Sequence, residues 1–327
     1  MIGAAESKRT EYFLKAAETV GLPVTVVSYH LAAKDDTEPL GECMVKLDPP
    51  TYHSADISDI YSQLVPYLAF WERLSTFPGI RFLNEVEAII QTLDKRVCKQ
   101  ALLAAEIACT PLLPEAPDFI TLREIMLLGK ISGAFIKPRW GSGAAGVLAL
   151  RVRHKREEDV LCTSAKLLPG GNLMNTKQLR RLSDPIQIET IVNSVLTQGA
   201  IIEEWLPKAR INGWCFDLRV VYQFGKIAYI TTRQSTWPIT NLHLNNRPFT
   251  ADFLSDNVLA EIESLCHKAA GVFPGLRVSG MDVLLEPGTF NPLIIEINAQ
   301  GDLIYQDIFA DNRIYTEQTL WIAKNGA

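Results

Sequence analysis

Two acidic side chains in this sequence lie on segments that must fold against each other. Gly280-Met281-Asp282-Val283-Leu284-Leu285 and Leu293-Ile294-Ile295-Glu296-Ile297-Asn298 read as strands, and residues 286–292 between them are turn chemistry. Pairing Leu285 with Leu293 across that turn sets Asp282 opposite Glu296. It also places Asn298, two residues on, on the face of Glu296. The same register sends Leu293, Ile295 and Ile297 to the other face, into a core. Carboxylates directly opposite each other repel. A divalent cation removes that penalty, and oxygen donors from Asp, Glu and Asn suit Mg²⁺, which keeps open positions for phosphate oxygens. The alternative is a solvated polar face on an amphipathic hairpin.

Upstream lie residues that could hold phosphate. Lys137 ends the apolar run Phe135-Ile136-Lys137-Pro138 and precedes Gly141-Ser142-Gly143-Ala144-Ala145-Gly146. A lysine so placed can aim its ammonium at phosphates while loop N–H groups, those of Ser142 and Gly143 among them, cover them. The loop lacks the Lys-Ser/Thr of a Walker A motif. A strand rather than a helix follows it, which excludes the dinucleotide fingerprint. Lys95 follows Asp94 at the start of a helix and is a second candidate. Ile201-Ile202-Glu203-Glu204-Trp205-Leu206 is an apolar strand ending in acids and an aromatic. Its backbone can read an adenine edge, with an acid on the exocyclic amine or the ribose hydroxyls; the alternative is a plain edge strand.

The elements that must position these residues divide the chain into three. The 327 residues are too many for one small core and suit two or three lobes. Residues 1–93 read as an α/β unit, with a helix over 11–20 and a short strand over 24–28. Residues 94–198 hold a helix from 97, the strand–glycine loop–strand hairpin and a helix over 186–196. Residues 199–327 hold the hinge strand 201–207, further strands at 216–223, 227–232, 279–285 and 293–298, and helices near 256–270 and 313–323. The charge run Arg151-x-Arg153-His154-Lys155-Arg156 reads as a solvated face or as an aid to an acidic substrate.

Composition narrows the class. Hydrophobic residues are 47% and charged residues 21%, ordinary for a soluble enzyme, and the net charge of −5 offers no basic surplus for nucleic acid or an anionic membrane. No apolar run reaches the ~18 residues of a membrane span. Six scattered cysteines without metal-type spacing read as reduced, which makes the cytoplasm the expected address. A homodimer is the default expectation for an enzyme of this size.

In order and spacing these pieces resemble the ATP-grasp superfamily, in the branch of the ribosomal-protein glutamate ligase and related amino-acid ligases. Asp94-Lys95 and Phe135-Ile136-Lys137-Pro138 look like its two lysine sites, and 141–146 like its lid loop. Glu203-Glu204-Trp205-Leu206 looks like its adenine hinge, Asp217-Leu218-Arg219 like its arginine strand, and Asp282, Glu296 and Asn298 like its metal set. The resemblance implies an α/β (α+β) fold with an N-terminal pre-ATP-grasp domain, a central lid and a C-terminal antiparallel ATP-binding sheet. It implies ATP with Mg²⁺ (or Mn²⁺) and a carboxylate–amine ligase working through an acyl phosphate on a small molecule or peptide. Lys95 and Lys137 would hold phosphates, while Arg219 and Arg233 would stabilise the transferring phosphoryl group and the tetrahedral intermediate. A kinase on the same fold and a non-catalytic ATP-binding regulator are the alternatives. After Asn298 the branch's usual turn is replaced by Ala299-Gln300-Gly301-Asp302, next to where the acceptor would sit.

Overall fold

Three sheets follow one another along the chain in the computed structural model, which describes residues 1–32, 41–51, 56–141, 143–153, 158–240, 247–301 and 303–326. The first part holds α1 (Lys8–Val20), a short α2 (Tyr29–Ala32), β1 (Cys43–Val45), α3 (Ile60–Ser75), β2 (Ile80–Phe82) and α4 (Val86–Leu93). Ser7 caps α1 by accepting from the Thr10 N–H, and Gly21 ends it in the left-handed conformation. β1 and β2 are parallel. Ile2 bridges Val27 on one side and Leu47 on the other, so the strand expected over 24–28 shrinks to one bridged residue.

The second part holds α5 (Lys95–Ala104), α6 (Phe119–Leu128), β3 (Gly133–Lys137), β4 (Leu148–Arg151), β5 (Val160–Leu167), β6 (Leu173–Leu182), α7 (Pro185–Leu196) and β7 (Ile201–Glu204). Its five strands are ordered β6-β5-β4-β3-β7. The hinge strand β7 therefore runs antiparallel along β3 and completes this sheet, whereas the sequence grouped it with the strands after it. Burial explains the choice: Ala200 and Ile202 join the core of Ile136, Leu148, Leu150 and the α6 and α7 side chains.

The third part holds β8 (Arg210–Ile211), β9 (Trp214–Gln223), β10 (Lys226–Ser235), β11 (Arg247–Phe249), α8 (Asp256–Gly271), β12 (Val278–Leu285), β13 (Pro292–Asn298), α9 (Tyr305–Ala310) and α10 (Arg313–Asn325). Its strands are ordered β11-β10-β9-β12-β13, with β8 on β9. One apolar core joins this sheet to the first part: Phe216, Val220, Ile294 and α8 pack with Trp71, Phe82 and Ile89. Among the described residues no helix is long and apolar enough to cross a membrane.

The β12–β13 hairpin reaches the expected pairing by a different route. Asp282 does oppose Glu296, but Leu285 opposes Pro292 and Leu284 opposes Leu293. The turn is one residue tighter, and a bulge between Asp282 and Val283 on the pairing path absorbs the extra residue, Ile295. The two displacements cancel at the acids and not at the apolar residues. Ile294 and Ile297 are fully buried, whereas Leu293 and Ile295 are only partly so, and Ile295 turns to the polar side.

Candidate active site

Asp94 sets the first lysine. Its side chain caps α5 by accepting from the N–H groups of Arg96 and Val97, and it also takes a two-pronged contact from Arg139. The Lys95 N–H donates to the Arg139 carbonyl at 3.0 Å. The start of α5 is thus pinned to the segment leaving β3, and the Lys95 ammonium reaches the Gly141 carbonyl and lies 3.6 Å from Glu296. Lys99, four residues on, shares this helix face. Its ammonium meets Glu203 at 3.1 Å, Thr110 Oγ1 at 2.8 Å and the Ile295 carbonyl at 3.1 Å.

Lys137 ends β3 with its ammonium 2.6 Å from Glu203 Oε2, and Thr110 Oγ1 donates to the same oxygen at 3.1 Å. Glu203 is 2% exposed. Burial opposes its charge, but Lys137 and Lys99 outweigh it and hold the carboxyl below its ordinary range. Burial likewise opposes the Lys137 ammonium, and Glu203, Glu296 and Asp282 outweigh it in turn, raising its pKa. Glu203 is therefore the counter-charge of two lysines. Of the two hinge acids, Glu204 is the half-buried one at the cleft edge.

A second network crosses the six-stranded sheet on one face. Arg233 opposes Asp217 between β10 and β9, Arg219 opposes Asp282 between β9 and β12, and Asp282 opposes Glu296. Arg233 Nε donates to Asp217 at 2.7 Å and its Nη1 to Asp282 at 3.1 Å. Arg219 Nε donates to the other Asp282 oxygen at 2.6 Å, and its Nη1 to the Gly301 carbonyl at 3.3 Å. Lys208 reaches Asp217 at 2.8 Å and Thr240 Oγ1 at 2.6 Å, and Thr240 also donates to Asp217. Burial would push the Asp217 carboxyl up, yet Arg233 and Lys208 draw it below its usual value. The repulsion between Asp282 and Glu296 is thus already offset by Arg219, Arg233 and Lys95, and by itself it does not demand a metal.

The two networks face each other across a cleft of about 740 Å³. Lys137, Glu204 and Leu206 line one side, and Arg219, Arg233, Asp282, Glu296 and Asn298 the other. Phe135, Val147, Leu284 and Ile295 form an apolar slot between them. Gly143 and Ala144 of the glycine loop overhang it, while Ser142 lies outside the described residues. Lys95 opens onto a small adjoining recess that it shares with Lys99, Lys137, Glu203 and Glu296. Trp205 is not brought to the cleft; it turns to the outer side of the hinge. Asn298 donates through Nδ2 to the Gly280 carbonyl at 3.4 Å, which leaves Oδ1 available to a cation. Two facing carboxylates and an amide oxygen suit Mg²⁺ as a donor set.

Sequence reasoning missed Lys99, Asp217 and Lys208. Lys99 carried a signal in its spacing of four from Lys95, and Asp217 in its spacing of two from Arg219. Lys208 carried none, because only the approach of its loop to the sheet brings it to Asp217. The turn after Asn298 is braced by the first part of the chain. Arg9 donates to the Gln300 carbonyl at 2.6 Å, and Gln300 donates to the Leu47 carbonyl at 3.0 Å. Gly280 lets the turn close over β12, since a Cβ there would lie 2.0 Å from the Gly301 oxygen.

No protein-family model and no curated protein matches the chain. Solved structures do. The D-cycloserine synthetase DcsG is 16% identical, with 98% of this chain and 97% of that one aligned at a TM-score of 0.62. The macrocyclase MdnC, bound with precursor peptide MdnA from Microcystis aeruginosa MRC, is 12% identical over 99% and 98%, at 0.59. The ATP-grasp ligase PsnB, complexed with a phosphomimetic variant of a minimal precursor, Mg and ADP, is 12% identical over 98% and 97%, at 0.57. With both chains covered almost end to end and the sheets arranged as described, the protein has the ATP-grasp fold.

Proposed function

We propose that the protein is an ATP-dependent carboxylate–amine ligase. The observation that carries this reading is the single cleft that gathers phosphate-type lysines, a hinge strand, a hard-oxygen donor set and two arginines on facing sheets. The base would lie in the slot of Phe135, Val147, Leu284 and Ile295, beside the hinge. Lys137 and Lys95 would meet the phosphates under the glycine loop. Asp282, Glu296 and Asn298 would hold Mg²⁺, which when bound neutralises phosphate charge.

The substrate carboxylate would attack the γ-phosphate, its oxygen bonding to phosphorus as ADP leaves. An amine then attacks the acyl carbon: the C–N bond forms, the C–O bond to phosphate breaks, and the amine loses a proton. Arg219 and Arg233 border the place where this charge develops, and both hold Asp282 beforehand. Cation binding at Asp282 would compete with those contacts and release guanidinium donors toward the acyl phosphate. The acceptor would enter beside the turn 299–301, where Arg9 and Leu47 brace the chain. That DcsG, PsnB and MdnC are named as a synthetase, a ligase and a macrocyclase supports bond formation over a kinase or a non-catalytic regulator.

The test is an ADP-release screen of carboxylate and amine pairs with Mg-ATP, followed by mass spectrometry of the products. A condensed product with free phosphate is expected. A phosphorylated acceptor that survives hydroxylamine would assign a kinase, and no turnover with any pair despite tight Mg-ATP binding would assign a regulator.

A further inference from the structure

Outside the hinge lies a second, open groove of about 1490 Å³, solvent-open space included, which meets the cleft at Lys208 and Pro238. One wall is a face of the five-stranded sheet. Arg151 opposes Val160 and Cys162 opposes Arg181, so all four point to the same side. Gly133 opposes Arg151 and leaves a seat for Trp205: a Cβ there would lie 3.1 Å from the indole, and the Arg151 guanidinium lies 4.5 Å from the ring centre. The other wall carries Arg210, Cys215 and Trp237.

Among the described residues, the groove is lined by four arginines and Lys208 and by no acidic residue. This is a local concentration of positive charge in a chain whose net charge is −5. Arg151, Arg181 and Arg210 are exposed, with one Arg210 nitrogen donating to the Gly213 carbonyl at 3.0 Å, whereas Lys208 is committed to Asp217 and Thr240. The acid beside Arg153, Asp159, is committed to Arg123 and to the Arg153 backbone.

We propose that this groove docks an acidic peptide segment. Its carboxylates would take the guanidinium forks of Arg151, Arg181 and Arg210, and its apolar side chains would lie on Val160 and Trp237. Nucleic acid fits less well: successive bases need successive open aromatic faces, and of the two indoles lining the groove Trp205 is seated on Gly133, tilted against Phe135 at 5.4 Å and covered by Arg151, which leaves Trp237 alone. A chain in the groove can pass its end into the cleft past Lys208. That the docked chain is also a substrate rests on the ligase reading; the docking does not.

Binding of a fluorescein-labelled peptide of alternating Glu and Leu to the full chain, read by anisotropy against its Gln–Leu counterpart, tests the proposal. The Glu peptide is expected to bind at least about tenfold tighter and to weaken with salt. Arg151→Gln combined with Arg181→Gln is expected to weaken it at least about tenfold while Mg-ATP affinity and Tm stay unchanged. Equal binding of the two peptides, or an unaltered affinity in the double variant, overturns the proposal. An oligothymidylate of equal length that binds tighter than the Glu peptide replaces it with a nucleic-acid surface. ADP release is measured separately. Lost docking with intact turnover rejects the groove alone, and docking without turnover of any pair rejects the ligase reading alone.

Discussion

Replacing Glu203 by Gln keeps the shape of the side chain and removes its charge. Lys137 and Lys99, with side chains 7% and 3% exposed, then lose the carboxylate they share. Removing one partner from a buried ion pair costs about 3–5 kcal/mol, because the remaining charge stays desolvated and unpaired. Deprotonation of one lysine relieves part of that cost, so a loss of about 3 kcal/mol is expected. Glu204→Gln, at the half-buried cleft edge, is expected to change stability by no more than about 0.5 kcal/mol. Adding Lys99→Met to Glu203→Gln removes one orphaned ammonium and should return about half of the loss, a departure from additivity. Urea unfolding followed by far-UV circular dichroism reads all three as midpoint shifts at constant m. If Glu203→Gln cost under about 1 kcal/mol, or if Glu204→Gln cost as much, Glu203 would not be the counter-charge of the two lysines.

Asp282→Asn and Glu296→Gln are expected to abolish the Mg²⁺-dependent part of ATP affinity, a loss of about thirtyfold or more, with Asn298→Ala nearer tenfold. Calorimetric titration with and without chelator checks this, and Mg²⁺-dependent binding retained in Glu296→Gln would remove the acid from the metal set. Gly280→Ala would push a Cβ to 2.0 Å from the Gly301 oxygen and 3.1 Å from Arg219 Nη1. It should displace the 299–301 turn and lower turnover far more than ATP affinity; unchanged turnover counts against the turn's placement at the acceptor. Glu203 and Asp217 have carboxyls held below their ordinary values. Each contributes stability that is fully present above its unfolded pKa of about 4 and is lost as pH falls through the lowered folded value. The unfolding midpoint should therefore be flat from about pH 7 to 5 and fall below about pH 4, less steeply in Glu203→Gln. An identical acid limb in the two proteins refutes the assignment.

Much of this arrangement was legible because it is local. Turn residues between two largely apolar runs announce the β12–β13 hairpin, Asp94 announces the start of α5, and an apolar run ending at Lys137 announces β3. Strand periodicity of two placed Glu296 and Asn298 on one face without any knowledge of the turn's tightness. Periodicity could not foresee the bulge that buries Ile294 in place of Ile295, since a bulge records how β12 and β13 fit the rest of the sheet.

The strand partners, and with them the destination of every charge, came only with folding. Ile201–Glu204 has the same apolar content beside either sheet, and it joins β3 because the α6–α7 core lies there. That choice buries Glu203 between two lysines and leaves Glu204 to the cleft. It also turns Trp205 outward into the basic groove. Residue types and short spacings are enough to name chemical groups, since they depend on one or two strands. Which cation neutralises which carboxylate depends on segments tens to hundreds of residues apart meeting in one desolvated place, where a misplaced charge is too unfavourable to persist.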